Sequence, residues 1–179
     1  MNFYKEPSKV YVNNELNTCK KTCYLPFKTN NVTILFDEEI ISSENMFKDL
    51  SNISEIDLTN FDASKVTNMK SMFLGCKGLK NIIFGNINTS SVTDMSYLFA
   101  GCNIVTSINI SNFDTSSVTD MQHMFSDCKE LKSINDSMLN TSNLENMRDL
   151  FAGCSKITSI DLSGFITPKS YKYARDVLF

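Results

Sequence analysis

Six cysteines and a single histidine are the residues of this chain best suited to nucleophilic, redox or metal chemistry. Four of the cysteines, Cys76, Cys102, Cys128 and Cys154, recur at a fixed step of 26 residues. A metal or redox ladder is one use for such a column. Equal spacing, however, gives each thiol equivalent surroundings and no unique pairing, and cysteine packs well as a small apolar group. The column is therefore expected to hold free, buried thiols. Cys19 and Cys23 stand apart in a C-x-x-x-C arrangement that fits neither the C-x-x-C redox pattern nor a four-ligand zinc site, and a bridge between them is left open. His123 occupies a position filled elsewhere by Ser71, Tyr97 and Asp149, which places it at an exposed, variable site. One histidine without a positioned nucleophile makes no triad, and no G-x-S-x-G elbow is present. The residues point to no enzyme, no metal site and no cofactor.

The elements that position these residues follow from the repeat. Phe47, Phe73, Phe99, Phe125 and Phe151 keep the same 26-residue step, as do Met69, Met95, Met121 and Met147, and Ile56, Ile82, Ile108, Ile134 and Ile160. In the unit beginning at Thr93, Thr93 and Asp94 have side chains that cap a helix start. Met95, Leu98 and Phe99 then form one apolar helical face, and Gly101 stops the helix. Val105, Ile108 and Ile110 carry the L-x-x-L-x-L spacing of a short strand, and the D-T-S-S that follows reads as an exposed turn. The expected fold is an α/β repeat solenoid, a leucine-rich-repeat-like right-handed coil with one short strand and one short helix per 26-residue repeat. Residues 1–42 form an N-terminal segment with a capping strand at Val32, Ile34 and Phe36, residues 43–165 the repeats, and residues 166–179 a C-terminal cap. The segment before Asn30 reads as loose. The methionine columns belong to the core rather than to a binding groove.

Composition bounds the function. Hydrophobic residues make up 42% of the chain and charged residues 21%, as in soluble globular proteins. A formal net charge of −3 offers no basic field to gather the phosphates of a nucleic acid. No run approaches the length of a membrane span, and Met1 to Lys9 lack the apolar stretch of a secretory signal. Six N-x-S/T sequons, at Asn31, Asn52, Asn88, Asn109, Asn135 and Asn140, are what a chain rich in Asn, Ser and Thr makes by chance. Thr89, Thr115 and Thr141 form a hydroxyl ladder, but the turns are irregular and the T-x-T strand motif of an ice-ordering surface is absent.

The phrases N-F-D-T-S-S-V-T-D-M and M-F-x-x-C carry a resemblance. L-T-N-F-D-A-S-K-V-T-N-M at Leu58 to Met69 and I-S-N-F-D-T-S-S-V-T-D-M at Ile110 to Met121 repeat it, and it covers about Asn45 to Phe165. The chain resembles the BspA-like leucine-rich repeats, including the DUF285 group of mycoplasma lipoproteins. That resemblance implies surface or secreted proteins that adhere to host components, with no catalytic residue among the repeat positions. Cytoplasmic localisation is the alternative, because no leader is seen. The fourth unit departs from the pattern, with Asp136 where Ile110 and Leu162 place an apolar residue.

The candidate binding surface is the outward row of the strands: Glu55, Asp57, Asn81, Ile83, Ser107, Asn109, Ser133, Asn135, Ser159 and Asp161. These residues make a polar, mildly acidic face. Its expected partner is a host or matrix protein, or a glycan, and not nucleic acid. An intracellular repeat scaffold or assembly subunit is the alternative function. Self-association through exposed array ends is a further expectation.

Overall fold

The computed structural model describes residues 6–18, 31–135, 139–158 and 160. Its first element is a hairpin. Strand β1 (Lys9–Val12) pairs antiparallel with β2 (Glu15–Asn17), in register Val12 to Glu15. Asn13 and Asn14 close it with φ of 53° and 69°, the two positive values a two-residue type I′ turn demands, and asparagine tolerates them. Strand β3 (Val32–Leu35) joins the other edge of β1 and makes a three-stranded antiparallel sheet, order β2-β1-β3. The strand expected at Val32 to Phe36 is thus present, and Ile34 and Phe36 pack against the core of the repeats. Within the segment expected to be loose, the described residues 9–17 form the β1–β2 hairpin.

In the repeats, β4 (Glu55–Asp57) pairs parallel with β5 (Asn81–Ile83), and β6 (Ser107–Asn109) with β7 (Ser133–Asn135). Partners lie 26 residues apart in both pairs, so each apolar column of the sequence meets itself in the next repeat. A second line of parallel bridges runs Ser42 to Asn68 to Asp94 to Asp120 to Asn146 with the same offset.

The expected α/β solenoid, with a helix in every repeat, is not the architecture. No helix occurs among the described residues, and the strands gather in three small separate sheets of three, two and two strands, all-β in character. The segment read as a helix shows why. Met72, Leu74 and Cys76 donate their amides to the carbonyls of Met69, Ser71 and Phe73, closing successive tight turns. The alternating amides of Met69, Ser71, Phe73 and Gly75 donate instead to Asp94, Ser96, Leu98 and Ala100 of the next repeat. Ser71 and Gly75, at φ 56° and 73°, break any helical run. A segment of this length forms too few helical bonds to offset nucleation, whereas each bond between repeats is fixed by stacking that the core already provides. The apolar spacing does mark a buried face, but the backbone serves the neighbour rather than itself.

The cap residues also act differently. Asp94 and Asp120 accept the amides two residues on, Ser96 and Gln122, each at 2.8 Å, which makes an Asx turn rather than a helix cap. Asp62, Asn88, Asp114 and Asn140 do the same for Ser64, Ser90, Ser116 and Ser142, and these bonds shape the N-F-D-T-S-S turn.

Inside, Phe47, Phe73, Phe99, Phe125 and Phe151 form one stack with centroids 5.3–5.7 Å apart and near-parallel planes. Phe84 meets Phe73, Phe99 and Phe113 edge-on. Methionine, leucine and cysteine columns fill the remaining space.

Two glycines at one repeat position separate strain from clash. At Gly101 (φ 72°) an added Cβ would lie 3.6 Å from Gly75 Cα, ordinary contact, so Gly101→Ala carries only the cost of the left-handed backbone, about 1 kcal/mol. At Gly75 (φ 73°) the same Cβ would strike the Asp49 carboxylate. That carboxylate is the far end of an exposed side chain and can turn aside, so Gly75→Ala is expected to lower the urea midpoint only slightly further than Gly101→Ala. A clearly larger loss at Gly75 would show that the carboxylate cannot turn aside.

Candidate functional site

The described members of the outward row fall into two groups. Ile56 and Ile108 are buried while their neighbours Glu55, Asp57, Ser107 and Asn109 are exposed, the alternation a pleated strand imposes. Asn81, Ile83 and Ser133 are exposed as well. The register sets Glu55 beside Asn81, Asp57 beside Ile83, Ser107 beside Ser133 and Asn109 beside Asn135. Since β5 and β6 belong to different sheets, the row consists of two short faces and not one continuous wall. Ser159 and Asp161 lie outside the described residues.

Several of these residues are already engaged. The Asp57 carboxylate accepts the Thr59 hydroxyl at 2.6 Å and its amide at 2.8 Å, and these bonds hold its carboxyl below the usual carboxylate value. Asn109 accepts the Ser111 amide at 3.0 Å, and Asn81 donates to Glu55 at 2.8 Å. Asp57 and Asn109 therefore shape the turns that leave their strands. Ile83, 38% exposed, is the apolar member of the row.

The four thiols of the column are free. Cys76, Cys102, Cys128 and Cys154 donate to the carbonyls of Phe47, Phe73, Phe99 and Phe125 at 2.9–3.3 Å, each one repeat back in the phenylalanine stack. Burial pushes the Cys76 thiol up to about 12 and Cys154 to about 11. Burial, with the neighbouring thiols of the column adding to it, drives Cys102 and Cys128 higher still. None is poised as a nucleophile, because the thiolate is the reactive form. Cys19 and Cys23 lie outside the described residues. No group of three or more His, Cys, Asp or Glu is placed to hold a metal among the described residues.

Two surface expectations change. His123 is not a freely exposed side chain: its ring stacks on Tyr97 at 4.8 Å, Nε2 lies 3.4 Å from Asp149 Oδ2, and the side chain is 25% exposed. Beside it Gln122 donates to the Tyr97 hydroxyl at 2.9 Å, and Asn146 donates to Gln122 at 2.8 Å. The common repeat column of Tyr97, His123 and Asp149 held this information, since a shared column means stacking. The hydroxyl ladder, for its part, is not on the surface. Thr89, Thr115 and Thr141 are buried, and Thr89 and Thr115 donate to the carbonyls of Asp114 and Asn140 at 2.9 and 3.0 Å. A buried polar side chain needs such a partner, and here it ties one turn to the next.

No curated protein and no solved structure matches the chain. The family described as "Mycoplasma protein of unknown function, DUF285" matches residues 41–165. That span begins beside Ser42, the first bridge of the parallel line, and covers every strand pair of the repeats. On this match over more than half its length, the chain belongs to the DUF285 family.

Proposed function

We propose that the chain is a non-enzymatic, adhesin-like binding protein that presents the outward faces of β4–β5 and β6–β7 to a host or matrix protein. The observation that carries this reading is the parallel register, which sets exposed polar side chains side by side on both faces and places one exposed isoleucine, Ile83, beside Asp57 on the first. Preorganised backbone lowers the ordering cost of docking, and an apolar side chain within a polar field is the usual site of strong contact. The phrases shared with BspA-like surface proteins support a place at the cell surface.

The test is surface-plasmon binding to fibronectin, laminin and collagen, comparing the parent with Ile83→Asn. Asparagine occupies the equivalent position in β6 and β7, so the fold accommodates it. The variant is expected to keep its melting temperature and to weaken binding about tenfold or more. Absence of binding to every panel member would overturn the proposal and favour the intracellular scaffold, and unchanged binding by Ile83→Asn would overturn the assignment of the strand faces as the binding site.

A further inference from the structure

On the corner that leads into the strands, a different face from their outward rows, the chain concentrates positive charge. Between the thiol column and the strands the repeats read S-N-I-S, K-G-L-K, N-I-V-T, K-E-L-K and S-K-I-T. Leu79, Val105 and Leu131 point into the core, while Lys77, Lys80, Lys129, Lys132 and Lys156 are exposed. Glu130 is the one carboxylate among them. None of the five lysines forms an ion pair with a described residue. In a chain of net charge −3 this corner stands out among the described residues.

The backbone fixes the row. Lys80 and Lys132 donate their amides to Ser54 and Thr106 of the preceding repeat at 2.8 and 2.9 Å. Below them the ring stack advances 5.5 Å per repeat from Phe73 to Phe99 and again to Phe125. Lys77 and Lys129, like Lys80 and Lys132, are two repeats apart, so their Cα atoms stand about 10 Å from one another along the stack. We infer that this lysine row is a binding site for a linear anionic polysaccharide, one bearing sulfate or carboxylate groups along its chain.

Charge and shape both select that partner. Exposed carboxylates border the row on either side, Asp127 before it and Glu55 and Asp57 after it. A broad anionic body, a membrane surface or a nucleic-acid duplex, would meet those carboxylates together with the lysines. A narrow polymer lying along the stack meets the five lysines and, of the carboxylates, Glu130 alone. The charge step of a polysaccharide with one anionic group per disaccharide is of the same order as the two-repeat lysine step. Lysine suits the role, being a point charge on a flexible stem that needs no fixed geometry.

The experiment compares heparin, hyaluronan, phosphatidylglycerol vesicles and duplex DNA as ligands for the parent, for Lys77→Gln/Lys80→Gln/Lys129→Gln/Lys132→Gln, and for a charge-matched control, Lys9→Gln/Lys48→Gln/Lys65→Gln/Lys70→Gln. The parent is expected to bind heparin or hyaluronan with an affinity that falls as salt rises, the first variant to lose about tenfold or more, and the control to stay near the parent. Heparin without hyaluronan assigns sulfate as the recognised group, and both together assign any anionic sugar chain. No polysaccharide binding at low salt, equal losses in both variants, or vesicles or DNA bound as well as the sugars would overturn the proposal. Because Ile83→Asn leaves the lysine row untouched, its effect on protein binding is scored separately.

Discussion

Replacing Phe99 by alanine is expected to cost about 4 kcal/mol, close to the full stability of many small domains. Phe99 is fully buried, lies at the centre of the stack with parallel rings at 5.5 Å on both sides, and meets Phe84 edge-on. Truncation removes the transferred apolar surface, leaves a cavity that two rigid rings cannot collapse to fill, and cuts the aromatic contact between consecutive repeats. Phe47, at the end of the stack, is 7% exposed and faces one ring of the stack, so Phe47→Ala is expected to lose about 1 kcal/mol less. Guanidinium denaturation of the two variants checks this. Should Phe99→Ala fail to fold, Phe99→Leu keeps most of the volume while removing the stacking and still has to fall below Phe47→Leu. Equal losses at the two positions would mean that the stack does not act as a continuous element.

The same contrast explains how much the sequence disclosed. The core was legible nearly residue by residue, because a fixed period of 26 makes each apolar column pack on itself whatever the backbone does between columns. Phe99, Met95, Cys102 and Ile108 are all buried where the columns placed them. The helix was not legible correctly, since M-x-x-L-F offers the same apolar face to a helical turn as to a pair of tight turns. The deciding fact is where the amides of Tyr97 and Phe99 go, to Gln122 and Met124 of the next repeat, and that is a property of stacking. Tyr97, at φ 59°, holds a conformation costly for a bulky side chain, which no local propensity anticipates. The N-terminal hairpin does have a sequence signal: Val10 and Val12 alternate with polar residues and lead into Asn13-Asn14, where asparagine tolerates the positive φ of a two-residue turn.

The site was legible in part for the same reason. Period-two alternation correctly separated Ile56 and Ile108 from Asp57 and Asn109, but not side chains that bind from side chains that hold a turn. Asp57 and Asn109 are engaged by Thr59 and Ser111 two residues away, a short-range geometry visible only when the backbone is known. Thr115 was misplaced on the surface because D-T-S-S is polar throughout, although its hydroxyl is used inside between adjacent turns.

The thiol column gives the second large effect, steep alkaline unfolding. Each buried thiol has its pKa raised in the folded state, to about 12 for Cys76, because burial penalises the thiolate. In the unfolded chain the same group ionises near its ordinary value of about 9. Below that pH both states hold the proton and the thiols leave stability unchanged. Above it the unfolded chain releases protons that the folded chain keeps, so stability falls by about 1.4 kcal/mol per pH unit for each buried thiol until the folded pKa is reached. Cys76, Cys102 and Cys128 together therefore contribute a loss of about 4 kcal/mol per unit above the thiol value, enough to unfold the protein within about two units of it. Denaturant midpoints at successive pH values from neutral to strongly alkaline would show the slope, and Cys102→Ala/Cys128→Ala should remove about two thirds of the three-thiol contribution even though the alanines cost stability at neutral pH. An unchanged alkaline slope in that variant would mean that the column is hydrated enough to ionise in place. The thiols would then lie open to metals and oxidants, and the packing role assigned to them would be wrong.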